Sequence, residues 1–72
     1  MKMLKHLYSL RKRYRQAGNE VSRVIVPEDD FKHLEKESNL PHYDGSLLMD
    51  GTPIVSGDVD EPTVKTEGFI QF

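Results

Sequence analysis

Apolar residues recur along the start of the chain as Met3, Leu7, Leu10, Tyr14 and Ala17, at alternating steps of four and three, with Leu4 and Tyr8 on the shoulder of the stripe. This spacing predicts an amphipathic helix over about residues 2–17, stopped by Gly18-Asn19. The seam covers only about two and a half heptads, short of what an independent coiled coil needs. Packing on the rest of the domain is therefore expected, with a helix–helix contact between protomers as the alternative.

The period then changes. Val21-Ser22-Arg23-Val24-Ile25-Val26 is a β-branched run closed by Pro27, which reads as a strand. Pro27 at a first helical position, followed by Glu28, Asp29 and Asp30, opens a second helix. There the acids complement the exposed N–H groups of the first turn. Phe31 and Leu34 are its core-facing residues, and Ser38-Asn39-Leu40-Pro41 ends it. His42-Tyr43-Asp44-Gly45 reads as a loop. Leu47-Leu48-Met49 and Thr52-Pro53-Ile54-Val55 flank Asp50-Gly51, whose tolerance of positive φ makes a two-residue type I′ hairpin. Strands are expected near Ser46–Met49 and Thr52–Ser56, with Pro53 marking a sheet edge because it has no N–H to give. After an acidic connection, Thr63–Phe72 reads as a last strand bent at Gly68, with Val64, Thr66, Ile70 and Phe72 on one face.

The order α-β-α-β-β-β predicts a single α+β domain over residues 1–72: a basic helix over 1–17 and an α+β body over 21–72. The body is a small antiparallel sheet with helices on one face and the Asp-Gly hairpin toward its C-terminal side. At 72 residues the core is small, and with no cysteine the chain has neither disulfides nor thiolate metal sites to reinforce it. The 36% hydrophobic and 31% charged content fits a folded domain rather than a disordered one. No run is apolar enough to span a membrane, and the start has no secretory apolar core.

Charge changes the picture more than composition does. The net charge of −2 hides a basic start, with Lys2, Lys5, Arg11, Lys12, Arg13 and Arg15 and no acid before Ala17. The stretch from Asp44 onward carries six acids against Lys65 alone. Such a chain is suited to meet copies of itself head to tail, or to present its start to something anionic.

Catalytic chemistry finds little support. His6, His33 and His42 fall on different elements without metal-binding spacing, and no nucleophile motif accompanies the His42/Asp44 pair. Asp58, Asp60 and Glu61 lack the ligand pattern of a calcium loop, and the glycines are isolated rather than clustered around a phosphate site. The expectation is a non-enzymatic protein without metal, cofactor or small-molecule substrate. Its function lies in contact with a protein partner or another copy, through Met3, Leu7, Leu10, Arg11, Arg13 and Tyr14. Nucleic-acid binding through Arg11, Lys12, Arg13 and Arg15, with Tyr8 and Tyr14 for stacking, is the competing reading. A basic helix of this kind also suits an anionic membrane surface or a targeting segment.

The stretch Gly45-Ser46-Leu47-Leu48-Met49-Asp50-Gly51-Thr52-Pro53-Ile54-Val55-Ser56-Gly57-Asp58 resembles a phrase of tailed-phage proteins. In those, an apolar pair precedes a Gly-x-Pro-[Ile/Val]-Val strand closely followed by an acid. The resemblance covers about a fifth of the chain and describes a hairpin rather than an activity. It implies a phage or prophage origin, with a place in the host cytoplasm or the virion, and it transfers no site residue.

Overall fold

The computed structural model describes residues 2–67. Helix α1 spans Lys2–Gln16, strand β1 Val21–Pro27, helix α2 Glu28–Glu37, and strands β2 to β5 His42–Tyr43, Ser46–Met49, Thr52–Gly57 and Thr63–Thr66. The architecture is α+β, and the five strands form one sheet in the order β2-β3-β4-β1-β5.

Each helix ends as its sequence dictates. At the end of α1, Gly18 adopts φ +92°, and the Asn19 and Gly18 amides donate to the Tyr14 and Arg15 carbonyls at 3.0 Å. This nested pair is the Schellman arrangement, which satisfies carbonyls that the helix end would leave bare. In α2 the Ser38 amide and hydroxyl both donate to the Leu34 carbonyl, at 2.9 and 2.6 Å. Pro27 closes β1 and sits just outside α2 at its N-cap, not inside the first turn.

The hairpin between β3 and β4 pairs Met49 with Thr52 and Leu48 with Pro53 around Asp50 (φ +51°) and Gly51 (φ +85°). The same chemistry occurs six residues earlier. Asp44 (φ +51°) and Gly45 (φ +81°) turn the chain between β2 and β3, where Tyr43 faces Ser46 and His42 faces Leu47. The segment expected as a loop is therefore a second hairpin arm.

That extra reversal decides the sheet. β1 runs one way, α2 carries the chain back, and β2, β3 and β4 alternate, so β4 emerges parallel to β1, with Val24 beside Ile54 and Ile25 beside Val55. The sheet is mixed rather than wholly antiparallel. The last strand does not extend the hairpin: β5 crosses the end of β1 and pairs with it antiparallel on its far side. β4 is consequently interior, and Pro53 does not mark an edge. In a two-residue hairpin the Met49–Thr52 pair exchanges the close hydrogen bonds, and Leu48–Pro53 is the non-bonded pair. Proline's missing N–H thus costs nothing on the β3 side, and the ladder to β1 begins only at Ile54. β5 ends at Thr66, and the Glu67 amide donates to the Glu20 carbonyl at 2.8 Å. The expected bend at Gly68 and the inward face at Ile70 and Phe72 lie outside the described residues.

The core forms on one face of the sheet. Val24 and Val26 of β1, Leu47 and Met49 of β3, and Ile54 of β4 are fully buried together with Leu7 of α1 and Leu34 of α2. Each buried aliphatic side chain contributes about 1.5–3 kcal/mol relative to exposure, so these seven side chains are the principal driving force for folding. Both helices cover that face.

Candidate functional site

α1 lies on the sheet with Leu7 at its centre, and Met3, Leu4, Tyr8 and Leu10 pack around the buried cluster. Leu7 is fully buried, and Met3 and Leu10 are partly so. The apolar half of the expected contact surface thus holds the helix to its own sheet, and Leu7 is not presented to a partner in the folded chain.

Arg11 follows Leu7 by four positions, so it falls on the same side of the helix. Its side chain is only 14% exposed, and its Nη1 lies 3.7 Å from Oδ2 of Asp50 in the β3–β4 turn. Asp50 therefore supplies both the left-handed turn residue and the partner of Arg11. The geometry is loose, and Asp50 is 71% exposed, so the pair resembles a surface ion pair in strength. Among the described residues Arg11 Nε has no hydrogen-bond partner although it is buried. What fixes Arg11 is the packing of its aliphatic stem, with the charged head reaching for the hairpin.

Lys12, Arg13 and Arg15 are exposed, as are Lys2 and Lys5 nearer the helix start. Tyr14 is among the large hydrophobic side chains left at the surface, at 38% exposure. α1 has no acid, so its exposed charged side chains are uniformly basic, while Tyr14 belongs to the apolar stripe two turns after Leu7. Of the six residues expected to meet a partner, Arg13 and Tyr14 are on the surface. Of the four expected for nucleic acid, Lys12, Arg13 and Arg15 are there and Arg11 is turned inward. A shallow groove lined by Tyr8, Arg11, Lys12, Arg15 and Gln16 runs along the helix. All its walls come from one helix, so it is a trough between side chains rather than an enclosed site. A cleft of about 170 Å³ opens between α1, the β3–β4 turn and the start of β1, lined by Arg11, Arg15, Glu20 and Asp50 among others.

The histidines remain apart. His42 Nε2 lies 3.5 Å from Glu35 Oε2, which ties β2 to α2, while His6 and His33 are exposed on the two helices. Among the described residues no group of three or more His, Asp or Glu side chains gathers where a metal ion could be held. Nor is any helix among them long and apolar enough to cross a membrane.

The sequence pattern missed two features. One is the inward role of Arg11, which its i+4 relation to Leu7 signals. The other is the sheet face turned away from the helices, where Ile25, Leu48, Pro53 and Val55 are only partly covered and Tyr43 is 70% exposed. Its signal is the apolar residue at both parities of the strands, Val24-Ile25-Val26 and Leu47-Leu48-Met49, where a strand with one wet face would alternate. Compared with protein-family models, with curated proteins and with solved structures, the chain shows no match to any of them.

Proposed function

We propose that this is a non-enzymatic binding protein that engages an acidic protein surface through the exposed residues of the second half of α1, with Lys12, Arg13 and Arg15 supplying charge and Tyr14, at the exposed end of the apolar stripe, the aromatic contact. The observation that carries the reading is the division of α1. Its apolar stripe and Arg11 face the protein's own sheet, while its remaining charged side chains are exposed, basic and unaccompanied by acids, and Tyr14 at the end of the stripe stays partly exposed. Arginine and tyrosine are the residue types that most often dominate interface energetics. The phage-like phrase at residues 45–58 supports a role as a virion or assembly component, or as a modulator of a host protein.

Capture of partners with the tagged chain tests this. Arg13→Glu combined with Arg15→Glu lies wholly on exposed positions and leaves the fold intact, and it should abolish recovery of the partner. Loss of a charged hot-spot pair of this kind weakens binding by about 2 kcal/mol or more. Recovery should survive nuclease treatment. If nuclease removes the captured material, and binding to mixed-sequence nucleic acid falls steeply with salt, then the basic side chains read phosphates and the protein-partner reading fails.

A further inference from the structure

Arg11 and Arg15 lie one helical turn apart on α1 and are shared by two concavities. One is the cleft that also holds Glu20 and Asp50. The other is the trough completed by Tyr8, Lys12 and Gln16, which has no acid in its walls. Each of its five side chains can donate a hydrogen bond: two guanidinium groups, an ammonium, a phenol and an amide. Donors and cations gathered without a carboxylate suit an oxyanion.

Arg11 is the under-used cation of the set. Its side chain is only 14% exposed, yet its ion pair with Asp50, at 3.7 Å, is beyond hydrogen-bonding range, and its Nε has no acceptor among the described residues. A guanidinium so covered ordinarily finds partners, because a donor buried without an acceptor is costly. The group is already largely stripped of water and held by its packed stem. A carboxylate that reaches its open edge therefore forms a charge-assisted bond with little further desolvation or ordering. Lys12 and Arg15 flank that edge and are both exposed.

We infer that the trough is a carboxylate-binding site whose occupant is a glutamate or aspartate side chain of an acidic protein partner, with Arg11 and Arg15 as principal donors and Lys12 as the flanking charge. This rests on the reading of α1 as a surface for an acidic protein, and it adds the residue that anchors the contact. Nucleic acid fits the trough less well. Three cations neutralise few phosphates, and affinity for nucleic acid grows with their number. Tyr8, the aromatic residue of the trough, packs against the buried cluster, so its ring is committed to the domain rather than free to stack on a base. A single carboxylate suits a trough between the side chains of one helix, where no second element closes over a larger group.

Titration of the isotopically labelled full chain with a blocked hexaglutamate peptide, followed through the arginine Nε–H and backbone amide signals, tests this. The Arg11 and Arg15 Nε–H signals should shift and saturate together with the backbone amides of residues 8–16. Arg11→Met keeps the packed stem and removes the guanidinium, so the fold is retained, and it should weaken binding about tenfold. Arg13→Ala, outside the trough, should weaken it by about threefold at most. Inorganic phosphate and a mixed-sequence oligonucleotide, titrated in parallel at equal ionic strength, should bind more weakly than hexaglutamate. If hexaglutamate moves only the signals of Lys12 and Arg13, and Arg11→Met binds as the wild type does, the trough falls while the basic surface of α1 stands. If no α1 signal moves, both fall. Saturation of the Arg11 signal by phosphate or by the oligonucleotide at a lower concentration than by hexaglutamate would overturn the assignment of a carboxylate.

Discussion

Gly57 offers the sharpest test of the packing, because its backbone gives no reason for glycine and its surroundings do. It closes β4 opposite Pro27, and its φ is not in the left-handed region. A methyl group built on its Cα, however, would lie 2.5 Å from Cγ2 of Ile25. Carbon atoms in contact sit at about 3.5–4.0 Å, so something must give by roughly 1 Å. Cγ2 is attached directly to the branched Cβ of Ile25, and it can retreat only by rotating a stiff χ1 or by moving the strand. Overpacking of this kind costs about 1–3 kcal/mol. Alanine also restricts the unfolded chain more than glycine, which returns about 0.4–1 kcal/mol. Gly57→Ala should therefore destabilise by about 1–2 kcal/mol, a fall of about 4–16 °C in Tm for a domain of this size. In an Ile25→Ala background Cγ2 is gone, only the unfolded-state term remains, and the same substitution should be neutral or slightly stabilising. Urea unfolding followed by circular dichroism at low protein concentration measures all four corners of the cycle, with an expected coupling of at least about 1 kcal/mol. An equal loss in both backgrounds, or no loss in the first, would refute the assigned contact.

Two further outcomes follow from the turns and from Arg11. Gly45→Ala and Gly51→Ala both place a side chain at positive φ, at a cost of about 1–2 kcal/mol each. The first should expose mainly the amides of residues 42–47 to hydrogen exchange, because β2 is a two-residue edge strand. The second should lower protection throughout, because β3 and β4 hold the core. Arg11→Met keeps the buried stem and removes the unpaired Nε with the ion pair, so chemical denaturation should show a change within about 1 kcal/mol, whereas Arg11→Ala also loses packing and should cost about 1–2 kcal/mol. Equal losses for the two would show that the Asp50 contact, not the stem, holds Arg11 in place.

How much of this fold the chain discloses turns on one dipeptide used twice. Asp50-Gly51 stands between two obvious apolar runs and reads at once as a hairpin turn. Asp44-Gly45 has the same chemistry and the same geometry, yet its upstream arm is only His42-Tyr43, two exposed residues with no apolar partner pattern. A strand that short carries no periodicity, so the pattern reads it as loop. The consequence is larger than two residues, because one uncounted reversal inverts the direction of every strand after it. An antiparallel reading of β4 against β1 becomes parallel, and Pro53 passes from a supposed edge to the interior. The helices, by contrast, declare themselves through a 3.6-residue period and end signals that no later element can reverse.

The candidate surface divides along the same line between local and long-range information. Heptad spacing correctly groups Met3, Leu7 and Leu10 on one side of α1, but spacing alone does not say whether that side meets the chain's own sheet or another molecule. The answer lies in the sheet: Val24, Val26, Leu47, Met49 and Ile54 form an apolar face that Leu7 and Leu34 bury. Once that demand is met, Arg11 follows Leu7 inward toward the hairpin, and Lys12, Arg13 and Arg15 stay exposed. The same reasoning applied to the other parity of the strands leaves Ile25, Leu48, Pro53 and Val55 only partly covered. A helix with an acid-free outer side and a sheet with two apolar faces point in opposite directions from one thin layer. A domain this small has too few elements to bury both faces of its sheet, so one face takes both helices and the other is covered only in part.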